Sequence, residues 1–389
     1  MVLDAASQQG YRSVVADAQL DFSRTGPGTL AGRYLRTFWQ PVYRSKDLPP
    51  GHAKPIQTLG EQFTLYRGEG GEPHLVAFRC AHRGTQLSTG WVEGDCLRCF
   101  YHGWKYDGSG QCVEMPAEDP SFPPKVQIKS YPVLEYLGLV FAYLGEGEPL
   151  PLPRYHFLED VDETRTTRQV TTDLRPFNYR NRIENSIDPV HVAFVHRNSE
   201  FRGLVGTPTV TVEETDYGLL VRATRSDGET RISQFEMPTI LHIKIPPTAP
   251  EERAWRDFLA WRVPVDDESN RAFTVTLIHM SPEAARHWAL DRAPKAGPSI
   301  DELGESVLSG ARHVDDFAED ASIVAVQDYV AQRGQGIIAN GVGDRLGRSD
   351  VAVIQLRHLY TREMQALAEG RPLKRWTALT PMATSGLGV

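Results

Sequence analysis

Four residues in one short window carry the first recognisable chemistry. The chain reads Arg79-Cys80-Ala81-His82, and sixteen residues later Cys99-Phe100-Tyr101-His102-Gly103-Trp104. A C-x-H pair followed by a C-x-x-H pair predicts two β-hairpin tips converging on one metal centre. Two thiolates and two imidazoles suit a [2Fe–2S] cluster with one iron on the cysteines and the other on the histidines. Neutral imidazoles in place of two thiolates make such a centre less anionic and raise its potential. Zinc also accepts Cys₂His₂, and Cys96-x-x-Cys99 offers a competing pair. Zinc ribbons and fingers usually open with two cysteines, however, whereas the first pair here is C-x-H. Cys96 and Cys112 read as small buried hydrophobes or turn residues. Gly103 permits a tight turn, and Trp104 is placed to cover a cluster from water.

A second set lies downstream, in Glu184-Asn185-Ser-Ile-Asp188-Pro189-Val-His191-Val-Ala-Phe-Val-His196. Asp188 and His191, three apart, share one helix face. His196, five beyond His191, joins them only if the helix ends or distorts between the two. Two histidines and a distant carboxylate form the facial triad of non-heme Fe(II) sites, which leaves positions open for O₂ and water. Asp188-Pro189 is also an ordinary helix start. The carboxylate has candidates in Asp315, Asp316, Glu319 and Asp320. Such an acidic cluster normally makes a solvated face, but heptad spacing sets Asp320, Ile323 or Val324, and Gln327 on about one side of a helix.

These residues need a scaffold. Thr29 is placed to cap a helix over 28–39. Short β-rich runs alternate with Gly, Pro and Asp turns from about 40 to 147, and Pro149-Leu-Pro-Leu-Pro153 marks a boundary. Strands are expected at 166–174, 208–215, 218–225, 231–236, 239–245, 256–265 and 271–280, interrupted by a helix carrying His191. Helices follow at about 314–333 and 349–369, the last stopped by Gly370. The fold class is therefore α+β: a small all-β domain, then an antiparallel sheet with helices. The length of 389 residues suggests two domains. A net charge of −8 argues against a nucleic-acid binder. Four cysteines are too few for a disulfide scaffold. Neither a secretory signal nor an apolar run long enough for a membrane helix is visible, so a cytoplasmic protein is expected.

The segment Cys80–His102, continued by Gly103-Trp104-Lys-Tyr106-Asp-Gly108, resembles the Rieske domain of the Rieske non-heme iron oxygenases. Glu184, Asp188, His191 and His196 match that family's E/N-x₃-D-x₂-H-x₄-H pattern position by position. Gly26-Pro-Gly-Thr29, Arg36-x-Phe-Trp39-Gln-Pro41 and Trp261-x-Val-Pro-Val-Asp-Asp267 resemble the phthalate dioxygenase-like branch, so the likeness spans nearly the whole chain. The resemblance implies an all-β Rieske domain over 39–149. It further implies a helix-grip catalytic domain over 150–389, onto which 1–38 packs. Cys80, His82, Cys99 and His102 would hold the [2Fe–2S] cluster. His191, His196 and Asp320 would hold a mononuclear Fe(II), with Asp320 chosen by the family-like phrase E-D-x₆-Q ahead of Asp316. Asp188 would bridge His102 and His191 as the electron-transfer link, with Asn185 close by.

Members of this family are commonly trimers of α-type subunits. They take electrons from NAD(P)H through a flavin/iron–sulfur reductase, in some cases with a ferredoxin, and use O₂ to hydroxylate or dihydroxylate small aromatic substrates. Others act as O- or N-demethylases by hydroxylating the methyl group. Arg197, Arg202, His242 and Lys244 are candidates for anchoring a substrate carboxylate, in a pocket expected from about 200–215 and 233–263. Two readings of another kind stand beside the oxygenase: a Rieske electron carrier without oxygen chemistry, and a zinc-stabilised binding protein.

Overall fold

A computed structural model describes residues 20–382, apart from 200–205, 248–251, 253, 292–296 and 318–321. Three small sheets build the N-terminal half. One pairs Trp39–Arg44, Leu139–Tyr143 and Val133–Tyr136; a second pairs His52–Thr58, Glu61–Arg67, Pro73–Ala77 and Ser130–Tyr131. The third, Trp91–Glu93, Cys96–Arg98, Lys105–Tyr106 and Cys112–Glu114, is a meander of very short strands. Leu139–Tyr143 is buried along its whole length, as a central strand between two partners should be.

The C-terminal half is built on one seven-stranded antiparallel sheet. Its strands are β1 (Thr167–Arg175), β2 (Thr209–Glu214), β3 (Gly218–Thr224), β4 (Thr230–Glu236), β5 (Ile240–Ile245), β6 (Arg256–Pro264) and β7 (Asn270–Ile278). They lie side by side in the order β1-β7-β6-β5-β4-β3-β2. All seven sit where the alternation of residue types predicts strands. Five helices matter for the site: α1 (Leu30–Arg36), α2 (Tyr179–Ile187), α3 (Val190–Val195), α4 (Ile323–Arg333) and α5 (Val351–Ala368). Thr29 caps α1 through Oγ1, which accepts from the Gly32 N–H. Gly370, at φ +67°, follows α5 in the left-handed conformation that ends helices. The helix expected over 314–333 is shorter: a single 3₁₀ turn occupies Val314–Phe317, and α4 begins only at Ile323.

The two faces of the sheet differ in chemistry. Leu259, Trp261 and Val263 of β6 and Phe273, Val275 and Leu277 of β7 point to one face. There they form an apolar cluster with Tyr136, Leu139 and Phe141 of the N-terminal half. The residues between them point the other way, towards the helices. Register places Phe258, Thr276 and Gln169 in one cross-strand row, and Arg262, Ala272 and Asp173 in another. A separate apolar cluster joins α1, α2, α5 and β3 to the N-terminal sheets, including Phe22, Tyr34, Leu65, Ile183, Leu219 and Leu356. Among the described residues, no helix is long and apolar enough to cross a membrane.

Candidate metal centres and cavity

The two Cys/His loops share one construction. In each, the Cys N–H donates to the carbonyl five residues on, Cys80 to Thr85 at 2.8 Å and Cys99 to Trp104 at 2.8 Å. In each, the cysteine's carbonyl accepts from a glycine four residues on, Gly84 at 3.0 Å and Gly103 at 3.1 Å. Both glycines have positive φ, +75° and +73°, a conformation that a Cβ would strain. The turns thus present each Cys and His side chain from the same concave side.

The imidazoles of His82 and His102 meet edge to face at 4.4 Å, and Trp104 stacks on His82 at 4.5 Å and 8°. Cys80 and Cys99 are buried, and Cys80 Sγ lies 3.2 Å from the Tyr106 hydroxyl. Burial pushes the Cys99 thiol up, so a cation is what would keep it as thiolate. His82 Nδ1 is buried with no hydrogen-bond partner, the condition expected of a nitrogen kept for a metal. Among the described residues, the group of three or more metal-type donors within 4.8 Å of one another is a different one, so these four are spread more widely than one zinc shell. A dinuclear cluster with an iron at each pair fits that spread and this donor set. Cys96 is half-buried at the start of a strand, and Cys112, buried on another, packs in the same apolar cluster as Cys80 and Cys99, as expected of packing residues.

The group that does converge is His191, His196 and Asp328. Asp188 ends α2 as its C-cap, Pro189 leads into α3, and His196 follows the end of α3. That break returns His196 to the side of His191, as the five-residue gap requires. Asp328 Oδ1 lies 3.3 Å from His196 Nε2 and 3.9 Å from His191 Nε2, gaps that one ion with bonds of roughly 2.1 Å spans. The Nδ1–H of His196 donates to Gln327 Oε1 at 2.9 Å, which fixes the ring orientation and points Nε2 at Asp328. His191 Nδ1 is buried without a hydrogen bond and sits 3.7 Å from Asp188 Oδ2. Burial works against ionising Asp328, but the hydrogen bond and charge of His196, with the charge of His191, hold its carboxyl below the usual range. For His196, burial disfavours the charged form, yet Asp328 outweighs it and lifts the pKa. This pairing of charges is what an ion would replace.

Asp328 is not the carboxylate expected from the sequence. Asp320, like Glu319, lies outside the described residues. Asp315 accepts from Asn198, and Asp316 accepts from the His313 N–H within an exposed turn. The carboxylate brought to the two imidazoles comes from α4, beside Gln327. Its trace in the sequence is a lone Asp in an apolar helix, Ile323-Val-Ala-Val-Gln-Asp328-Tyr-Val330. Asn185 Nδ2 lies 3.4 Å from Asp328 Oδ1. Glu184 is instead a buried hub bonded to Arg180 at 2.9 Å and to Arg357 at 2.7 and 2.8 Å. Asp188 accepts from the Val190 N–H. Among the described residues, no hydrogen bond or ion pair joins Asp188 to His102 of the same chain.

Asp328 and Asn185 stand on the wall of a cavity of about 460 Å³ between the helix-facing side of the sheet and helices α2 and α4. Its apolar surface comes from residues such as Phe177, Phe258, Ile278 and Val324, and its polar surface from Thr171, Thr274, Asp173 and four arginines. Of the lining expected from about 200–215 and 233–263, Ile245, Arg256, Phe258 and Arg262 line the cavity and none of 206–215 does, while β1 and β7 contribute as much. His242 and Lys244 are corrected as anchors: they lie on the opposite face of the sheet. There His242 bridges Gln234 Oε1 at 2.8 Å and Asp257 Oδ1 at 3.1 Å, and Lys244 pairs with Asp257 at 2.9 Å. Arg197 is exposed, and Arg202 lies outside the described residues.

A sequence profile of the Rieske [2Fe–2S] domain matches residues 38–132. The chain is 32% identical over 365 residues to the 5,5′-dehydrodivanillate O-demethylase oxygenase subunit of Sphingobium sp., covering 90% of this chain and 81% of that protein. It is 31% identical over 384 residues to the phenoxybenzoate dioxygenase subunit alpha of Ectopseudomonas oleovorans, covering 92% and 88%. Among solved structures, the reduced complex between oxygenase and ferredoxin in carbazole 1,9a-dioxygenase superposes with a TM-score of 0.61 at 22% identity, covering 95% and 98%.

Proposed function

The chain belongs to the Rieske non-heme iron oxygenases, O₂-using oxidoreductases with a Rieske cluster and a mononuclear iron, and from that premise we propose which residues do what and on what kind of molecule. Cys80 and Cys99 hold one iron of the cluster, and His82 and His102 the other. His191, His196 and Asp328 hold the mononuclear iron, with Asp328 in the place expected of Asp320. When bound, these groups supply electrons one at a time and activate O₂. Gln327 keeps the His196 ring in its ligating tautomer, and Asn185 steadies Asp328. Residues 39–149 and 150–389 are the two working units.

Asp188 is the link between the centres. It faces His191 within its own chain but not His102, while His102 is exposed beside the exposed Tyr101. We therefore assign the second half of the link to His102 of another copy, in a ring of subunits such as a trimer. Electrons come from NAD(P)H through a reductase, with a ferredoxin as carrier; the ferredoxin-bound structural relative supports this.

The cavity takes a small aromatic substrate, which is hydroxylated or dihydroxylated. Demethylation by methyl hydroxylation is the second reading, favoured by the O-demethylase relative. The observation that carries the proposal is the meeting of two imidazole Nε2 atoms and one carboxylate at the wall of an amphipathic cavity. The test is O₂ consumption and product analysis with a surrogate reductase, across aromatic carboxylates, methoxybenzoates and N-methyl heterocycles. A phenol or cis-diol is expected, formaldehyde would favour the second reading, and iron-loaded protein that forms no product from any of them would contradict both.

A further inference from the structure

One cation of the cavity has no ion pair among the described residues. Four arginines line it, and three are engaged. Arg182 bonds Asp173 at 2.7 Å and Asn270 at 3.0 Å. Arg175 bonds Asp301 at 3.1 Å and approaches Asp173 at 3.5 Å. Arg256 is chelated by Glu252. Arg262 is only 9% exposed, its Nε has no hydrogen-bond partner, and no ion pair reaches it among the described residues.

Register explains why. Asp173, Ala272 and Arg262 share one cross-strand row. Asp173 is thus two strand spacings from Arg262, about 9.6 Å, and is already taken by Arg182. Asp328, the other carboxylate of the cavity, belongs to the His191–His196 group. Burial and then the charge of Arg182 push the Arg262 pKa down to about 9 against the longer-range pull of Asp173 and Asp328, so it remains charged at neutral pH. A buried guanidinium whose Nε is unpartnered, and whose nearest carboxylates are held by other groups, is an unfavourable arrangement unless a ligand completes it. A planar carboxylate matches its fork. Phe258, on the same strand and the same face but four residues away, about 13 Å along the strand, offers an aromatic surface further along the cavity.

We propose that Arg262 anchors a single carboxylate of the substrate, so that the enzyme selects monoanionic aryl carboxylates over their uncharged counterparts. The inference rests on the reading of this cavity as the place of oxidation. One unpaired guanidinium accounts for one carboxylate; Arg175, Arg182 and Arg256 are committed to protein partners.

The test is calorimetric titration of the full-length, iron-loaded protein, without reductant, with ring-substituted benzoates and the matching benzamides. At least one benzoate should bind, at least tenfold more tightly than its benzamide. Arg262→Gln should abolish that preference while benzamide binding stays within about twofold, and Arg262→Lys should restore part of it. Equal affinity of the two series for the unmodified protein would overturn the proposal without any variant, as would a panel in which no benzoate binds. An undiminished preference in Arg262→Gln would overturn the assignment to Arg262. O₂ uptake separates the two layers. If benzoates bind through Arg262 but are not oxidised while other compounds are, the cavity is not the oxidation site. If uncharged compounds are bound and oxidised in preference, the oxygenase reading stands and the carboxylate anchor fails.

Discussion

The two groups of metal-type donors in this chain are held in opposite ways. Cys80, His82, Cys99 and His102 sit on two tight turns, and the rim around them is open: Phe100 is 59% exposed and Tyr101 53%. His191, His196 and Asp328 come from the ends and middles of helices, and their neighbours are a buried glutamine and the wall of a cavity. The contrast follows from what each must do. A centre that trades electrons with other proteins needs one edge at the surface. A centre that activates O₂ beside an organic molecule needs to be dry and fixed in distance to that molecule.

If the contrast is real, the centres can be removed separately. His191→Ala should reduce turnover to background while the cluster keeps its visible absorption; loss of colour would mean that the two sites are not independent. Cys99→Ser should do the reverse, bleaching the protein but leaving the mononuclear iron measurable.

The link between them is the next place to break. Asp188→Asn should leave both centres loaded and the cluster reducible by dithionite, yet slow coupled turnover by about a hundredfold. Unchanged turnover would remove Asp188 from the path. A smaller effect is expected one hydrogen bond away from the iron. Gln327→Leu removes the acceptor for His196 Nδ1–H and should weaken mononuclear iron binding roughly tenfold or more, read by chelator competition, with the cluster signal unchanged.

The smallest effect lies at the seam between the halves. Glu236 is buried, accepting from the Tyr155 hydroxyl at 3.0 Å and the Leu379 N–H at 3.0 Å. Burial pushes its carboxyl up to about 8, with those two bonds working the other way. Because the folded chain holds this proton more tightly than the unfolded chain, the stabilisation is full below about pH 4 and is lost as pH rises through about 8. Glu236→Gln should flatten the fall in melting temperature between pH 6 and pH 9 by a few degrees; an unaltered slope would contradict the assignment.

The same contrast explains what the sequence could reveal. The cluster donors all fall between Cys80 and His102, so their spacing carries the geometry, down to the glycine four residues after each cysteine. The strands were legible as short runs rich in β-branched and aromatic residues between turn residues. The carboxylate that the structure brings to the two imidazoles, Asp328, was not, because it lies on a distant helix that begins at Ile323, while Asp320 lies outside the described residues. Asp320 was favoured by the family-like phrase E-D-x₆-Q, and heptad spacing, which assumed one continuous helix over 314–333, set Gln327 on the same side. In β5 the alternation was read correctly, but which face opens to the cavity was not. The apolar members face it, and His242 and Lys244 turn away to meet Asp257 of β6. Only register between strands carries that information, and it also leaves Arg262 without an ion pair among the described residues.

The central claim is that one chain carries a two-iron cluster and a separate iron held by His191, His196 and Asp328. Iron, zinc and acid-labile sulfide per chain test it directly, in the unmodified protein and in Asp328→Ala and Asp320→Ala. The unmodified protein should contain about three irons, two sulfides and no zinc. Asp328→Ala should keep about two irons with both sulfides, and Asp320→Ala should keep all three irons. Zinc without sulfide in the unmodified protein, or a full complement of iron in Asp328→Ala, would contradict the account.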